Sequence, residues 1–315
     1  MPLALLALTI GAFAIGTTEF VIVGLVPTIA EQLAISLPSA GLLVSIYALG
    51  VAIGAPVLTA LTGRMPRKQL LLALMVLFTA GNLLAWQAPG YGTLIVARLL
   101  TGLAHGVFFS IGSTIATSLV PKEKAASAIA IMFGGLTVAL VTGVPFGTFI
   151  GQHFGWRETF LAVSILGVIA LISSLILVPN NIPGRAGASL RDQLKVLTHP
   201  RLLMIYAITA LGYGGVFTAF TFLAPMMQEL AGFSPSAVSW ILLGYGISVA
   251  IGNVWGGKLA DKHGAVAALR CVGGAVAGLP VHGQSALRRS GNGTGDGDFR
   301  LRQRSGSAGL CGTKG

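Results

Sequence analysis

The sequence predicts an all-α transmembrane fold, a complete six-helix bundle followed by the start of a second. Three observations carry this expectation. Of 315 residues, 54% are hydrophobic and 9% are charged, with a mean hydropathy of +0.84, whereas soluble domains average about 25% charged residues. Apolar runs of bilayer-spanning length follow one another along the chain. Finally, the basic residues gather in alternate gaps between those runs.

The runs lie near 3–28, 39–61, 69–87, 92–119, 125–150, 157–178, 201–224 and 237–256. The first begins at Met1-Pro2-Leu3, with no positive segment before it and too many apolar residues for a signal peptide, so it counts as a membrane span. Between spans 6 and 7 the gap is longest. It opens rich in Pro, Gly and Asn at Pro179 and then carries Ser189 to Lys195, a charged stretch expected to form a short amphipathic helix in a cytoplasmic linker. The expected division is therefore a six-helix bundle over 1–178, a linker over 179–200, the start of a second bundle over 201–270, and a Gly/Arg-rich tail over 271–315.

Charge sets the orientation. The gaps after spans 2, 4, 6 and 8 hold eleven basic residues: Arg64, Arg67 and Lys68; Lys122 and Lys124; Arg185, Arg191, Lys195 and Arg201; Lys258 and Lys262. The opposite gaps offer only Arg157. Because Lys and Arg are retained on the cytoplasmic side, this places the N-terminus inside the cell. The net charge of +11 is thus largely topological and gives no basic face for nucleic acid. Two cysteines, Cys271 and Cys311, both near the end, support neither a disulfide framework nor a metal site.

Two loops repeat one another. Gly63-Arg-Met-Pro-Arg-Lys68 follows span 2 and Gly257-Lys-Leu-Ala-Asp-Lys-His-Gly264 follows span 8, an offset of about 198 residues, the signature of a parallel six-helix repeat. Gly257-x-x-x-Asp261-Lys262-x-Gly264 resembles the loop signature of the major facilitator superfamily. Arg64, Arg67 and Lys68 match its weaker first copy, with Gly63 and Pro66 departing from the usual Asp and Gly. In span 4, Arg98-Leu-Leu-Thr-Gly102 resembles the Arg-x-x-x-Gly element of the drug and proton antiporters. Gly134 through Gly143-Val-Pro145-Phe-Gly147 resembles their span 5 pattern. With Gly16-Thr-Thr-Glu19-Phe20 and Gly155-Trp-Arg157, the likeness is to the twelve-helix branch that includes sugar-efflux and chloramphenicol exporters. It implies a major-facilitator-like fold and proton-coupled efflux of a small molecule by a monomer.

The residues themselves point to where coupling would sit. An ionisable side chain within a membrane span is costly and marks a functional candidate. Glu19, Arg98 and His105 qualify. Counted along their helices at 1.5 Å per residue, Glu19 and Arg98 share the outer half of the bundle. Burial favours a protonated carboxyl and a guanidinium favours a carboxylate, so the charge of Glu19 would depend on what else is bound. The alternative is a static ion pair orienting spans 1 and 4. His105, seven residues after Arg98 and on nearly the same face, is either a proton relay or a hydrogen-bonded packing residue.

Glycines at four-residue spacing, Gly50/Gly54, Gly102/Gly106, Gly143/Gly147/Gly151 and Gly252/Gly256, predict close helix packing. Pro145 removes a backbone bond and predicts a local bend; by the resemblance, that helix sets exchange direction. Asp261 with Lys258 and Lys262 is either a charge contact closing one face or a topology-setting cluster. Tyr47, Tyr206, Tyr213, Phe217, Phe220 and Phe222 are candidates to line an amphiphilic cavity, with lipid-facing or packing roles as the alternative. Gly252 to Lys258 has phosphate-loop spacing but lacks the following Ser/Thr and closes a membrane helix. No hydrolase constellation, metal or cofactor is expected, and the chain is not expected to be an enzyme.

The tail breaks the pattern. From Cys271 onward 12 of 45 residues are Gly and 14 are hydrophobic, where the repeat predicts a ninth span from about 267. Either a reading-frame change near Arg270 replaced four further helices, or a natural basic tail lies on anionic lipid. The functional expectation is proton-coupled efflux, its alternative a truncated and transport-inactive chain.

Overall fold

In the computed structural model the described residues are 3–63, 65–182 and 200–263; within them, the side chains of 59, 60, 201, 213 and 253–263 are outside the description. The linker helix expected at 189–195, Arg64 and the tail therefore lie outside the described residues, as do the side chains of Tyr213, Asp261 and Lys262. Eight helices among the described residues are long and apolar enough to cross a membrane.

The first four are α1 (Leu3–Gln32), α2 (Leu37–Leu61), α3 (Arg67–Trp86) and α4 (Tyr91–Ser118). Span 1 continues past its expected end and through Pro27, since a proline costs one backbone bond and neighbouring helices hold the rest. Ser36 caps α2, accepting from the Ser39 amide at 3.2 Å, with proline in its first turn. The fifth span comprises a 3₁₀ turn (Lys122–Lys124), α5 (Ala125–Val138), a π-helical turn (Ala139–Gly143) and α6 (Val144–Phe154). Where a bend is expected, the residues just before Pro145 form the π turn. Proline at 145 has no N–H and crowds the carbonyl four residues back, and the chain widens by one residue, the Val144 amide bonding Ala139 O. Gly155, at φ +102°, reverses the chain into α7 (Trp156–Leu177), a conformation that side-chain-bearing residues rarely adopt. From residue 200 onward come α8 (Pro200–Thr221), a short α9 (Leu223–Glu229) and α10 (Pro235–His263).

Residues Met1–Gly252 form one unit and Asn253–Gly315 a second. In the first unit, α2 packs along α4, α3 lies between α4 and α7, and α1 runs against α5, α6 and α7. Two apolar clusters fill it. One holds Leu8, Ile15, Phe78, Phe108 and Met132; the other holds Val21, Leu25, Leu43, Leu94, Trp156 and Phe160, with Phe220 and Leu242 from the later helices. Along α1 the first stops at Ile15 and the second starts at Val21. The interval contains Thr17, Thr18 and Glu19, and the same level of α3 and α4 holds Thr79, Asn82, Arg98 and Thr101, all four buried. A polar layer thus crosses the bundle between two apolar ones.

Glycines let the helices approach. A methyl group on Gly50 would lie 2.6 Å from Leu99 O, and one on Gly54 2.7 Å from Leu103 O. Gly102 and Gly106 reciprocate against the Tyr47 and Val51 carbonyls. Along α1, Gly143, Gly147 and Gly151 meet Thr17, Val21 and Leu25. Gly134 does not take part: nothing lies within 4 Å of its missing side chain, and its neighbour Gly135 meets Thr9 O instead. Four-residue counting back from Gly143 leads to Gly135 rather than Gly134, and the face that packs follows that row. Gly252 likewise faces open space.

Candidate functional site

The polar layer is built outward from Arg98, whose side chain is 1% exposed. Burial forces a guanidinium to find partners, and these are mostly backbone. Nη1 donates to Thr18 O at 2.8 Å, Nε to Leu43 O at 3.4 Å, and the guanidinium carbon stands 4.2 Å above the Tyr47 ring. One side chain on α4 thereby ties α1 to α2. Thr18 continues the network through its hydroxyl, which donates to Asn82 Oδ1 at 2.6 Å, while Asn82 Nδ2 donates to Phe78 O at 2.9 Å.

Glu19 and Arg98 share this layer without pairing directly. The basic side chain nearest the Glu19 carboxyl is His105: its Nδ1 lies 3.7 Å from Glu19 Oε2 and 2.9 Å from the Tyr47 hydroxyl. At 3.7 Å the first contact is too long for a hydrogen bond, and Oε2 is buried with no hydrogen-bond partner, as is Nη2 of Arg98. Tyr47 stands between them, under the guanidinium and bonded to the imidazole.

Glu19 also faces a cavity of about 600 Å³ lined by α1, α2 and α8 and the start of α9. Its walls include Ser45, Tyr47, Thr209, Phe217, Thr218 and Phe222, and Glu19 is the one charged side chain among the described lining residues. Phe20 contacts Phe217 and Phe220, with ring centroids 6.0 and 6.2 Å apart, and Phe220 stacks on Tyr245 at 4.6 Å. Tyr47 and Phe217 thus line the space expected of them, while Tyr206 is 44% exposed on the flank of α8.

Of the loop residues, Lys68 donates to Leu175 O at 2.8 Å, a cation on the carbonyl end of α7, and Arg67 is buried at the start of α3. At the other end of the bundle Arg157 lies 4.4 Å over Trp156 and donates to Ala88 O. No three His, Cys, Asp or Glu side chains gather as a metal site among the described residues.

Sequence reasoning missed Thr18 and Asn82 as members of the layer and the bond from Tyr47 to His105. A lone asparagine inside an apolar span was a usable signal, because a polar amide there must find a partner. The bond to His105 depends on the mutual rotation of α2 and α4, which spacing within one helix does not encode.

Residues 8–283 match a family model described as Major Facilitator Superfamily. Over 260 residues the chain is 57% identical to an uncharacterized MFS-type transporter, YtbD, of Bacillus subtilis, and 47% identical to the inner membrane transport protein YdhP of Escherichia coli; each match covers 82% of this chain and 66% of the relative. A chloramphenicol resistance protein of Streptomyces lividans is 36% identical over 269 residues, 84% of this chain and 68% of that protein. The chain thus spans about two thirds of the length of the curated relatives it matches. Among solved structures, a bacterial homologue of the human lysosomal transporter Spinster, inward-facing and occupied, superposes with a TM-score of 0.65 at 20% identity, covering 82% of this chain and 61% of that one. A D-xylose-proton symporter gives 0.62 at 17% identity, covering 82% and 68%.

Proposed function

Because the chain belongs to the major facilitator superfamily, a family of multi-pass membrane transporters rather than enzymes, we propose that it exports a small molecule in exchange for protons. Glu19 is the coupling carboxyl in this reading, with Arg98 ordering the site around it and His105 relaying protons. The observation that carries it is the position of Glu19. One face of this carboxyl borders a cavity of about 600 Å³, a volume suited to a small organic molecule, while Oε2 faces an imidazole at 3.7 Å. A single group is then in reach of substrate on one side and of a proton carrier on the other, the arrangement antiport requires.

The π turn before Pro145 supports a role for α5 and α6 in exchange, since such turns mark places where a helix changes its register. Gly143 and Gly147 keep that segment close to α1. The loop residues Arg64, Arg67, Lys68, Asp261 and Lys262 are proposed to hold the cytoplasmic face closed in one state. Tyr213 is proposed to join Tyr47 and Phe217 in the cavity. Insertion in a bacterial plasma membrane with the N-terminus cytoplasmic, as a monomer, completes the reading; the eleven-to-one division of basic residues between alternate loops supports it. The division into a bundle over 1–178, a linker over 179–200 and the start of a second bundle from 201 belongs to the same proposal.

Inside-out membrane vesicles carrying the full chain and acidified within should accumulate substrate, with chloramphenicol heading a screen of phenicols, sugars and nucleosides. Glu19→Gln should bring the gradient-driven component to background. Unchanged pH dependence in that variant would remove Glu19 from the role. Absence of gradient-driven movement of every compound, with the chain stably inserted, would leave a membrane protein without transport activity.

A further inference from the structure

We infer that Tyr47 is a positioning residue: its hydroxyl donates to Nδ1 of His105, holds that ring with its proton on Nε2, and keeps Glu19 Oε2 unpaired until a proton moves from Glu19 to His105. The inference rests on the coupling reading for its consequence in transport, but its core concerns only where one proton sits.

Two groups compete for a single nitrogen. Nδ1 of His105 has the Tyr47 hydroxyl at 2.9 Å and Glu19 Oε2 at 3.7 Å. In a neutral imidazole this nitrogen either carries a proton or accepts one. If it carried the proton and donated to Tyr47, the phenol would need a second acceptor for its own O–H. Tyr47 is 2% exposed, and its hydroxyl makes no other hydrogen bond among the described residues, so that proton would be buried and unpaired, a costly arrangement. If Tyr47 donates instead, its proton is satisfied and the imidazole proton goes to Nε2. His105 is 13% exposed, and its Nε2 is not left buried without a partner, so a proton there is not orphaned. The second arrangement leaves fewer polar groups unsatisfied.

Arg98 holds Tyr47 in place to do this. Its guanidinium, pinned to Thr18 O and Leu43 O, covers the phenol ring and fixes the plane in which the hydroxyl points. The ionisable groups facing His105 are therefore Glu19 from α1, Tyr47 from α2 and Arg98 from its own helix. From α3 only Arg67 and Lys68 are ionisable, both at its far start, and α5 has none.

The transfer balances as follows. The O–H bond of protonated Glu19 breaks, the Tyr47 hydroxyl turns away, and an N–H bond forms on Nδ1. A carboxylate and an imidazolium then face one another as an ion pair, and the proton to leave next is the one on Nε2. Tyr47 acts by occupying the receiving nitrogen until that moment.

The test is nitrogen NMR of the full chain labelled at histidine, with His105→Gln identifying the signal, at a pH where the ring is neutral. Wild type should show Nε2–H in about tenfold excess over Nδ1–H, the ratio one hydrogen bond supports. In Tyr47→Phe the ratio should invert, because Nδ1 can then donate to Glu19. Nδ1–H in wild type, or the same tautomer in both, would overturn the inference, and the wild-type spectrum decides even if the variant does not fold. In vesicles, Tyr47→Phe should flatten the pH profile of gradient-driven flux across the range where His105 titrates, since pairing with Glu19 no longer waits for a proton. A merely structural defect lowers flux equally at every pH, and that outcome would count against the role. Failure of Glu19→Gln to affect coupling would remove the transport reading while leaving the tautomer result to stand.

Discussion

The α2–α4 seam and the contact of α1 with the 143–151 stretch are both lined by glycines four residues apart, yet they pack in different ways. Across the first, Gly50, Gly54, Gly102 and Gly106 meet backbone: carbonyls of Leu99, Leu103, Tyr47 and Val51. Across the second, Gly143, Gly147 and Gly151 meet the side chains of Thr17, Val21 and Leu25. Backbone cannot yield without moving a helix, whereas a side chain can change rotamer. The α2–α4 seam is also the one that holds Tyr47 against Arg98 and His105. A rigid seam thus supports the buried charges, and a yielding one carries the π turn.

Substitutions should separate the two. Gly102→Ala puts a methyl group onto Tyr47 O and should destabilise the chain by about 3 kcal/mol, the upper part of the range for overpacking. Thermal unfolding in detergent reads this, and an unchanged midpoint would show that the seam is softer than its geometry. Gly147→Ala meets Val21 Cγ2 at 2.5 Å. With a rotamer change available to Val21, the expected cost is about 1 kcal/mol, and a loss as large as at Gly102 would erase the distinction. Gly134→Ala, in the same span but on α5 with open space around it, should leave the midpoint unchanged or raise it, because alanine favours a helix by up to about 1 kcal/mol over glycine. Destabilisation there would mean that Gly134 packs after all.

Much of the fold was legible from the chain. Eight apolar runs of bilayer length correspond to eight helices of that kind, with ends displaced by a few residues. Gln32 rather than residue 28 ends α1 because a proline within a packed helix does not break it. That Pro145 disturbs its span was legible, but the π turn before it was not, since that depends on whether the freed backbone kinks or takes in an extra residue. In the polar layer, Glu19, Arg98 and His105 stood out by their cost in an apolar span. Their order of contact did not: the expected approach of Glu19 to Arg98 is replaced by Glu19 to His105, with Tyr47 between.

The sequence by itself determined that this chain is a bundle of membrane helices, which stretches cross, which glycines share a row, and which ionisable groups lie within the spans. Those properties follow from transfer cost and helical period, both local to a segment. Only the tertiary structure decided which partner each buried group meets. Arg98 turned to two carbonyls and a phenol ring, and Tyr47 took the imidazole nitrogen that Glu19 faces. Such contacts depend on the rotation and depth of three helices relative to one another. Packing of side chains between helices sets both, and no period within a single helix records them.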